Sequence, residues 1–257
     1  MYELLTAKDW ESIVDAIYHI NSASDVEGVQ KTTLSCLQML IPCYQITFWL
    51  ETVNDGTIET HSVKYVGARA NYLDEIIGNK YDDDPYFFGM FMKTRTYVFL
   101  DTEMVGERTK EQSRLYNEVY KKQGIEYGLR AFLCDNATLI GDVALFNSAE
   151  DGDFSMRDKQ IMEVLAPHIA QALASALRKG SVDISNELQS KLASDYDLTK
   201  RESEVVMLLI DGATAPAISD LLCISPSTAK KHTHNIYQKL HVKNRGELKD
   251  LIDAMRG

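Results

Sequence analysis

The chain has 257 residues, 45 % of them hydrophobic and 25 % charged, with a formal net charge of −11. This balance excludes a mainly disordered, collagen-like or low-complexity chain and suits one large or two modest domains. No apolar run reaches the roughly 18 residues of a membrane-spanning helix, and Met1 to Glu11 lacks the basic flank and apolar stretch of a secretory signal.

In chain order, Trp10, Ile13, Val14, Ile17 and Ile20 recur at the period of one buried helical face. Residues 21–25 (NSASD) interrupt and recap the chain, and Val26, Val29, Thr33, Leu37 and Leu40 predict a second helix ending before Pro42. Residues 45–50 (QITFWL) have strand composition. Asn54-Asp55-Gly56 is a turn signal, and Ile58 to Val66 reads as the returning strand. A short helix is expected over 72–77, a strand over 97–100 and a helix over 110–122 that stops at Gly124. Leu129 to Cys134 and Leu139 to Phe146 predict a hairpin about Asp135-Asn136. Ser155, with Asp158 three residues on, opens a long helix through Ile161, Leu165, Ile169 and Leu173, in which Pro167 predicts a kink. Helices flanking an antiparallel sheet make the first domain, residues 1–178, an α-β-α sandwich. Residues 179–196 are polar and weakly periodic and read as a linker with one helical turn or more.

Residues 197–257 read as an all-α domain of four short helices. Thr199 and Glu202 have the spacing of a capping box, and Asp211-Gly212 ends the first helix. Pro216 fits only the start of the second, capped by Thr214 or Ala215, with Ile218, Leu221 and Leu222 packing inward. The third helix runs from about Ser227 to Leu240, with Ala229, Thr233, Ile236 and Leu240 as its inner stripe and Lys230, Lys231 and His234 on the other side. Asn244 and Glu247 cap a fourth. The segment 225–249 holds six basic residues and one acid, a local +5 within an acidic chain. Two short helices joined by a tight turn, the second with a basic outer face, form a helix-turn-helix, which duplex DNA admits in its major groove.

These residues resemble the LuxR-type DNA-binding domain over about 198–252: Leu198-Thr199, Arg201-Glu202, Gly212, Ile218, Ile224-Ser225, Ser227-Thr228, Lys230, His232, Ile236, Lys239-Leu240, Val242 and Arg245 stand in its order without gaps. The resemblance implies that Lys230, Lys231 and His234 face bases or nearby phosphates, with Thr228, His232 and Lys239 in backbone or scaffold positions and Lys243 and Arg245 completing the basic surface. It also implies a homodimer contact through the fourth helix. A Thr214-Ala215-Pro216-Ala217 run replaces the family's polar run and its lysine, removing one phosphate contact.

The first domain resembles the autoinducer-binding domain of quorum-sensing LuxR-type regulators, of the same kind as GAF domains, through Asp84-Pro85, Tyr97-Val98-Phe99, Gly124-Ile125 with Gly128-Leu129, and residues 167–173. It departs from the lactone binders at Asn71, Glu75 and Phe99. Seven of 23 aromatics fall within residues 81–99. Aromatic walls with one carboxylate suit a small apolar ligand bearing an amide or amine. The candidate pocket residues are Trp49, Tyr72, Asp84, Phe88, Tyr97 and Phe99. The alternative is that these rings are core or a protein-docking surface. A phosphoacceptor receiver is disfavoured because the chain begins with a helix rather than a strand.

No nucleophile elbow or phosphate-binding glycine loop occurs, so no enzyme is expected. The four cysteines, Cys36, Cys43, Cys134 and Cys223, lack paired spacing, which predicts free thiols in a reducing cytoplasm and no metal or other cofactor. The expected partners are double-stranded DNA, an unknown small-molecule effector and a second copy of the chain, with no membrane.

Overall fold

The computed structural model describes residues 4–54, 57–67, 81, 84, 94–104 and 107–256. The chain forms two compact units, Met1–Arg178 and Lys179–Gly257. The fold class is α+β: an antiparallel sheet with helices in the first unit and an all-helical second unit.

The first unit begins with α1 (Ala7–Ser22), whose start is fixed by a capping box between Thr6 and Asp9. Asp9 also pairs with Arg157, and that guanidinium together with the Thr6 donors holds its carboxyl far below the usual range. Helix α2 (Val26–Leu40) is capped by Asp25. Strands β1 (Gln45–Asn54), β2 (Thr57–Gly67), β3 (Tyr97–Leu100), β4 (Tyr127–Asp135) and β5 (Thr138–Asn147) form one sheet in the order β2-β1-β5-β4-β3, with every pairing antiparallel. The register slips once in β1–β2, between Leu50 and Glu51, and once in β4–β5, between Leu133 and Cys134.

Alternation along the strands divides the sheet cleanly. Ile46, Phe48, Leu129, Ala131, Val143 and Leu145 face one way and share a core with α1, α2 and the first part of α5 (Met156–Tyr196). The opposite face carries Trp49, Ala144 and Phe146, covered by Tyr81, Leu115, Val119, Tyr120 and Ile125. Between β3 and β4 the chain forms α3 (Asp101–Met104), α4 (Glu107–Gln112), a π turn at Tyr116–Tyr120 and a 3-10 turn at Lys121–Gln123. The single helix expected over 110–122 is therefore broken, because Ser113 and Leu115 direct polar groups to Asp84 instead of continuing the ladder. Gly124 stops the segment at φ +73.

Several expectations need correction. Val14 is 62 % exposed and Trp10 only partly covered, while Ala16 is buried instead, so the buried face of α1 runs along Ile13, Ala16 and Ile20. The linker 179–196 is helical, within α5, and Leu188 and Leu192 are buried in the core of the second unit. The helix expected over 72–77 and the turn residues Asp55 and Gly56 lie outside the described residues. No helix among the described residues is long and apolar enough to cross a membrane.

The second unit contains α6 (Lys200–Ile210), α7 (Ala215–Leu221), α8 (Pro226–Lys239) and α9 (Arg245–Arg256). Val205, Val206, Ile218, Ala229, Ile236, Leu248 and Ile252 form its core. Leu221 is 64 % exposed rather than packed inward, whereas Leu222 and Ile224 lean on that core.

Candidate nucleic-acid interface and the inner sheet face

The start of α8 is built by Ser225. Its hydroxyl accepts the Thr228 N–H at 3.1 Å and lies 2.8 Å from Thr228 Oγ1 and 2.7 Å from Ser227 Oγ. Three hydroxyls thus collect at one helix end, where the dipole favours an anion. The turn between α7 and α8 is held from both sides: Arg201 donates to the Leu222 carbonyl and Ser219 Oγ to the Ile224 carbonyl. Cys223 adopts φ +52 between them. This fixes how α8 leaves the unit.

Along α8, Ala229 and Ile236 are buried, and Leu240 just beyond it is buried as well. Lys230, Lys231 and His234 are exposed, and Thr228 and His232 are half-buried. Lys243 is also exposed. Of the basic residues expected on this surface, Lys239 is engaged internally and Arg245 is partly enclosed. Lys239 donates to Glu202 Oε2 at 2.8 Å and to the Asp197 carbonyl at 2.7 Å. Burial would raise the Glu202 carboxyl, but the Lys239 ammonium and the Thr199 donors overcome this and hold it below the usual range. Arg245 is half-buried, with Nη2 enclosed 3.7 Å from where a Cβ on Gly212 would sit. Lys239 therefore ties the end of α8 to the start of α6.

In the first unit, three candidate pocket residues share the inner face of the sheet. Trp49 pairs with Asp142 across β1–β5, and its Nε1 donates to Thr47 Oγ1 at 3.0 Å. Tyr97 and Phe99 stack at 5.9 Å, and Phe99 packs on Phe132 at 5.0 Å, in a cluster separate from that of Trp49. Asp84 is buried, and its carboxylate accepts from Ser113 Oγ at 2.9 and 3.0 Å and from the Leu115 N–H at 3.0 Å. These bonds make Asp84 the cap of the Leu115 turn. Tyr72 and Phe88 lie outside the described residues.

The same face carries a polar group that the sequence reading passed over. Arg130 donates to Asp101 Oδ1 at 2.7 Å and to Tyr120 Oη at 3.0 Å, and all three residues are buried. Glu51 and Asp142 are each only 4 % exposed. Burial pushes the Glu51 carboxyl up to about 8, helped by the Asp142 charge. Burial likewise pushes Asp142 up to about 7, with Arg130 opposing and Asp101 reinforcing. The signal available in the sequence was charge at inward strand positions: Asp142 interrupts an otherwise apolar run, and Arg130 follows Leu129.

Residues 197–252 match the family model for bacterial regulatory proteins of the luxR family, GerE. The response regulatory protein YgeK of Escherichia coli strain K12 is 40 % identical over 62 residues, 24 % of this chain and 42 % of that protein, so the chain spans less than half of that relative. The monoamine regulon transcriptional regulator of Klebsiella aerogenes is 26 % identical over 226 residues, 88 % of this chain and 91 % of that protein. Escherichia coli SdiA shares the fold, with a TM-score of 0.54 at 14 % identity over 93 % of this chain and 94 % of SdiA. SdiA in complex with octanoyl-rac-glycerol gives 0.55 at 14 % identity over 98 % and 97 %. The matched family and these sequence relatives are regulators, not enzymes.

Proposed function

We propose, for a chain whose residues 197–252 belong to the luxR family of bacterial regulatory proteins, that α8 enters the major groove of an operator and that the first unit controls this binding through a small-molecule effector. The observation that carries the reading is the division of α8: Lys230, Lys231 and His234 are exposed along a helix whose Ala229 and Ile236 are buried. Lys230, Lys231 and His234 meet base edges and the nearest phosphates. Thr228, through its hydroxyl at the positive end of the helix, holds a phosphate oxygen. Lys243 adds backbone attraction, His232 supports the helix, and Lys239 and Arg245 hold the scaffold.

One recognition helix makes few base contacts, so the chain acts as a homodimer on two half-sites about one helical turn, roughly 34–36 Å, apart. It works in the cytoplasm, and its overall negative charge limits binding elsewhere on nucleic acid. SdiA, which shares the fold, has been crystallised with octanoyl-rac-glycerol, which supports an effector in the first unit by analogy of fold. The test is selection of duplexes from a random library with the full chain. The expected result is a two-fold symmetric motif; recovery of sequences without any shared motif overturns sequence-specific regulation.

A second reading takes the first unit as a docking or dimerisation module without ligand. It is favoured by apolar side chains left exposed on α1 and α2, Val14, Tyr18 and Met39 at 62, 67 and 78 %.

A further inference from the structure

The inner face of the sheet holds three acids and one base, all buried. Their connections are uneven. Arg130 and Asp101 form a close pair, closed on one side by the Tyr120 hydroxyl. Glu51 receives one long hydrogen bond, from Thr60 Oγ1 at 3.4 Å to Oε1. Glu51 Oε2 and Asp142 Oδ1 are both buried without a hydrogen-bond partner. Buried carboxyl groups are ordinarily paired, because an unmatched one forfeits its hydration without return. Two unmatched oxygens on one face of one sheet call for a donor that the described residues do not supply.

Their placement narrows the donor. Asp142 is directly across from Trp49, and Glu51 is two residues farther along β1 on the same face. The two carboxyls are therefore diagonal neighbours, about 7–8 Å apart at the backbone. The register slip at Leu50/Glu51 sits at this point, and such irregularities commonly re-aim a side chain beside a site. Trp49 stands directly across from Asp142 and two residues before Glu51, and an indole is the best aromatic partner for a cation. With Arg130 paired to Asp101, a cation brought to Glu51 and Asp142 meets two carboxyls that can give up their protons and ionise against it. Among the described residues there is no group of three or more acids, histidines or cysteines that could hold a metal ion.

We infer that Glu51 and Asp142, with Trp49 beside them, bind the ammonium group of a small organic amine on the inner face of the first unit. The inference rests on the reading that this unit takes an effector. The ammonium donates to Glu51 Oε2 and Asp142 Oδ1, and its organic part lies along the aromatic and apolar side chains of the face. The groups facing the two acids are Thr60 from β2, Arg130 from β4, Asp101 from α3 and the Tyr120 hydroxyl from the π turn. None of them contributes an uncompensated positive charge. Because burial raises both acids in the free protein, binding a cation draws off protons and strengthens as pH rises from 6 to 8.

The test is calorimetric titration of the full chain at pH 6 and pH 8 with hexylamine and 2-phenylethylamine, beside 1-hexanol and 2-phenylethanol as neutral counterparts. The expected result is saturable binding of an amine, at least tenfold tighter at pH 8, with proton release read from the buffer dependence of the heat. The alcohols should bind at least tenfold more weakly. Glu51→Gln and Asp142→Asn should each reduce amine affinity at least tenfold. Both variants remove a buried charge, so they should fold, and circular dichroism checks this. Absence of amine binding, equal binding of amine and alcohol, or unchanged affinity in both variants overturns the inference. A thermal shift with calcium or manganese but not with amines does so as well. Binding of the alcohols alone refutes the amine site yet leaves effector control standing, whereas duplex selection without a motif strikes the regulator reading alone.

Discussion

Lys239, at the end of α8, places its ammonium 2.8 Å from the Glu202 carboxylate at the start of α6. The side chain of Glu202 is 6 % exposed, and it also accepts from the Thr199 N–H at 2.9 Å, so one carboxylate joins a helix cap to the far end of α8. A basic residue in a DNA-binding pattern thereby serves to set the angle of the helix that carries the others.

Replacing Lys239 leaves that carboxylate short of a donor. We expect Lys239→Ala to destabilise the second unit by about 1–3 kcal/mol, the usual range for a charged hydrogen-bond partner removed from a mostly buried group. Since Glu202 is held below the usual carboxylate range, its contribution is present above that range and fades as pH falls through the lowered value. The difference between wild type and variant in urea unfolding should therefore shrink on acidification. An unchanged midpoint at neutral pH would show the pair to be dispensable.

Gly128 permits the buried pair on the inner sheet face. A Cβ there would lie 2.2 Å from Asp101 Oδ2, the carboxylate that holds Arg130. Gly128→Ala should displace Asp101 and lower stability by about 3–5 kcal/mol, the range for a broken buried ion pair. Chemical denaturation followed by tryptophan fluorescence reads this in the first unit, which contains both tryptophans, Trp10 and Trp49.

The β4–β5 turn has Asn136 at φ +46 and Ala137 at φ +65. A left-handed conformation suits asparagine but strains alanine. Ala137→Gly should raise stability by about 0.4–1 kcal/mol, seen as a higher thermal midpoint; a lower one would mean that the alanine is not strained.

Glu51 and Asp142 give the first unit an inverse pH profile. Acids raised to about 8 and about 7 keep their protons in the folded chain after the unfolded chain has lost them. Their contribution to stability is fully present below the ordinary carboxylate range and is lost as pH rises toward 8. The tryptophan-detected midpoint should fall between pH 5 and pH 8.5, and Glu51→Gln should flatten the fall. A wild-type midpoint that does not move across this window contradicts the placement of these two groups.

Much of this was legible in the sequence for local reasons. Thr199 with Glu202, Thr214 before Pro216 and Asn244 with Glu247 each announce a helix start, and all three caps form; the start of α8 falls one residue before the expected Ser227, capped by Ser225. The β-branched and aromatic runs of β1 and β5 read directly as strands. Other features depend on distant partners. Periodicity marked Val14 and Leu221 as apolar but could not say that nothing within their own unit covers them. Leu188 and Leu192 are two anchors in a polar run, too few to reveal a helix before the core they join is known. That Asp84 also caps the Leu115 turn through Ser113, 29 positions away in sequence, shows only once the two are placed together. The Glu51–Asp142 relationship appears only once β1 and β5 are paired.

The most direct test of the account is the salt dependence of full-chain binding to a selected duplex, with wild type beside Lys230→Ala and Lys231→Ala. If both lysines lie in the groove, wild type loses affinity steeply with salt. Each substitution then either lowers the slope by about one, as for a phosphate contact, or weakens the selected sequence by about 1–3 kcal/mol, as for a base contact. Affinity and slope identical to wild type in both variants would contradict the placement of α8 on DNA.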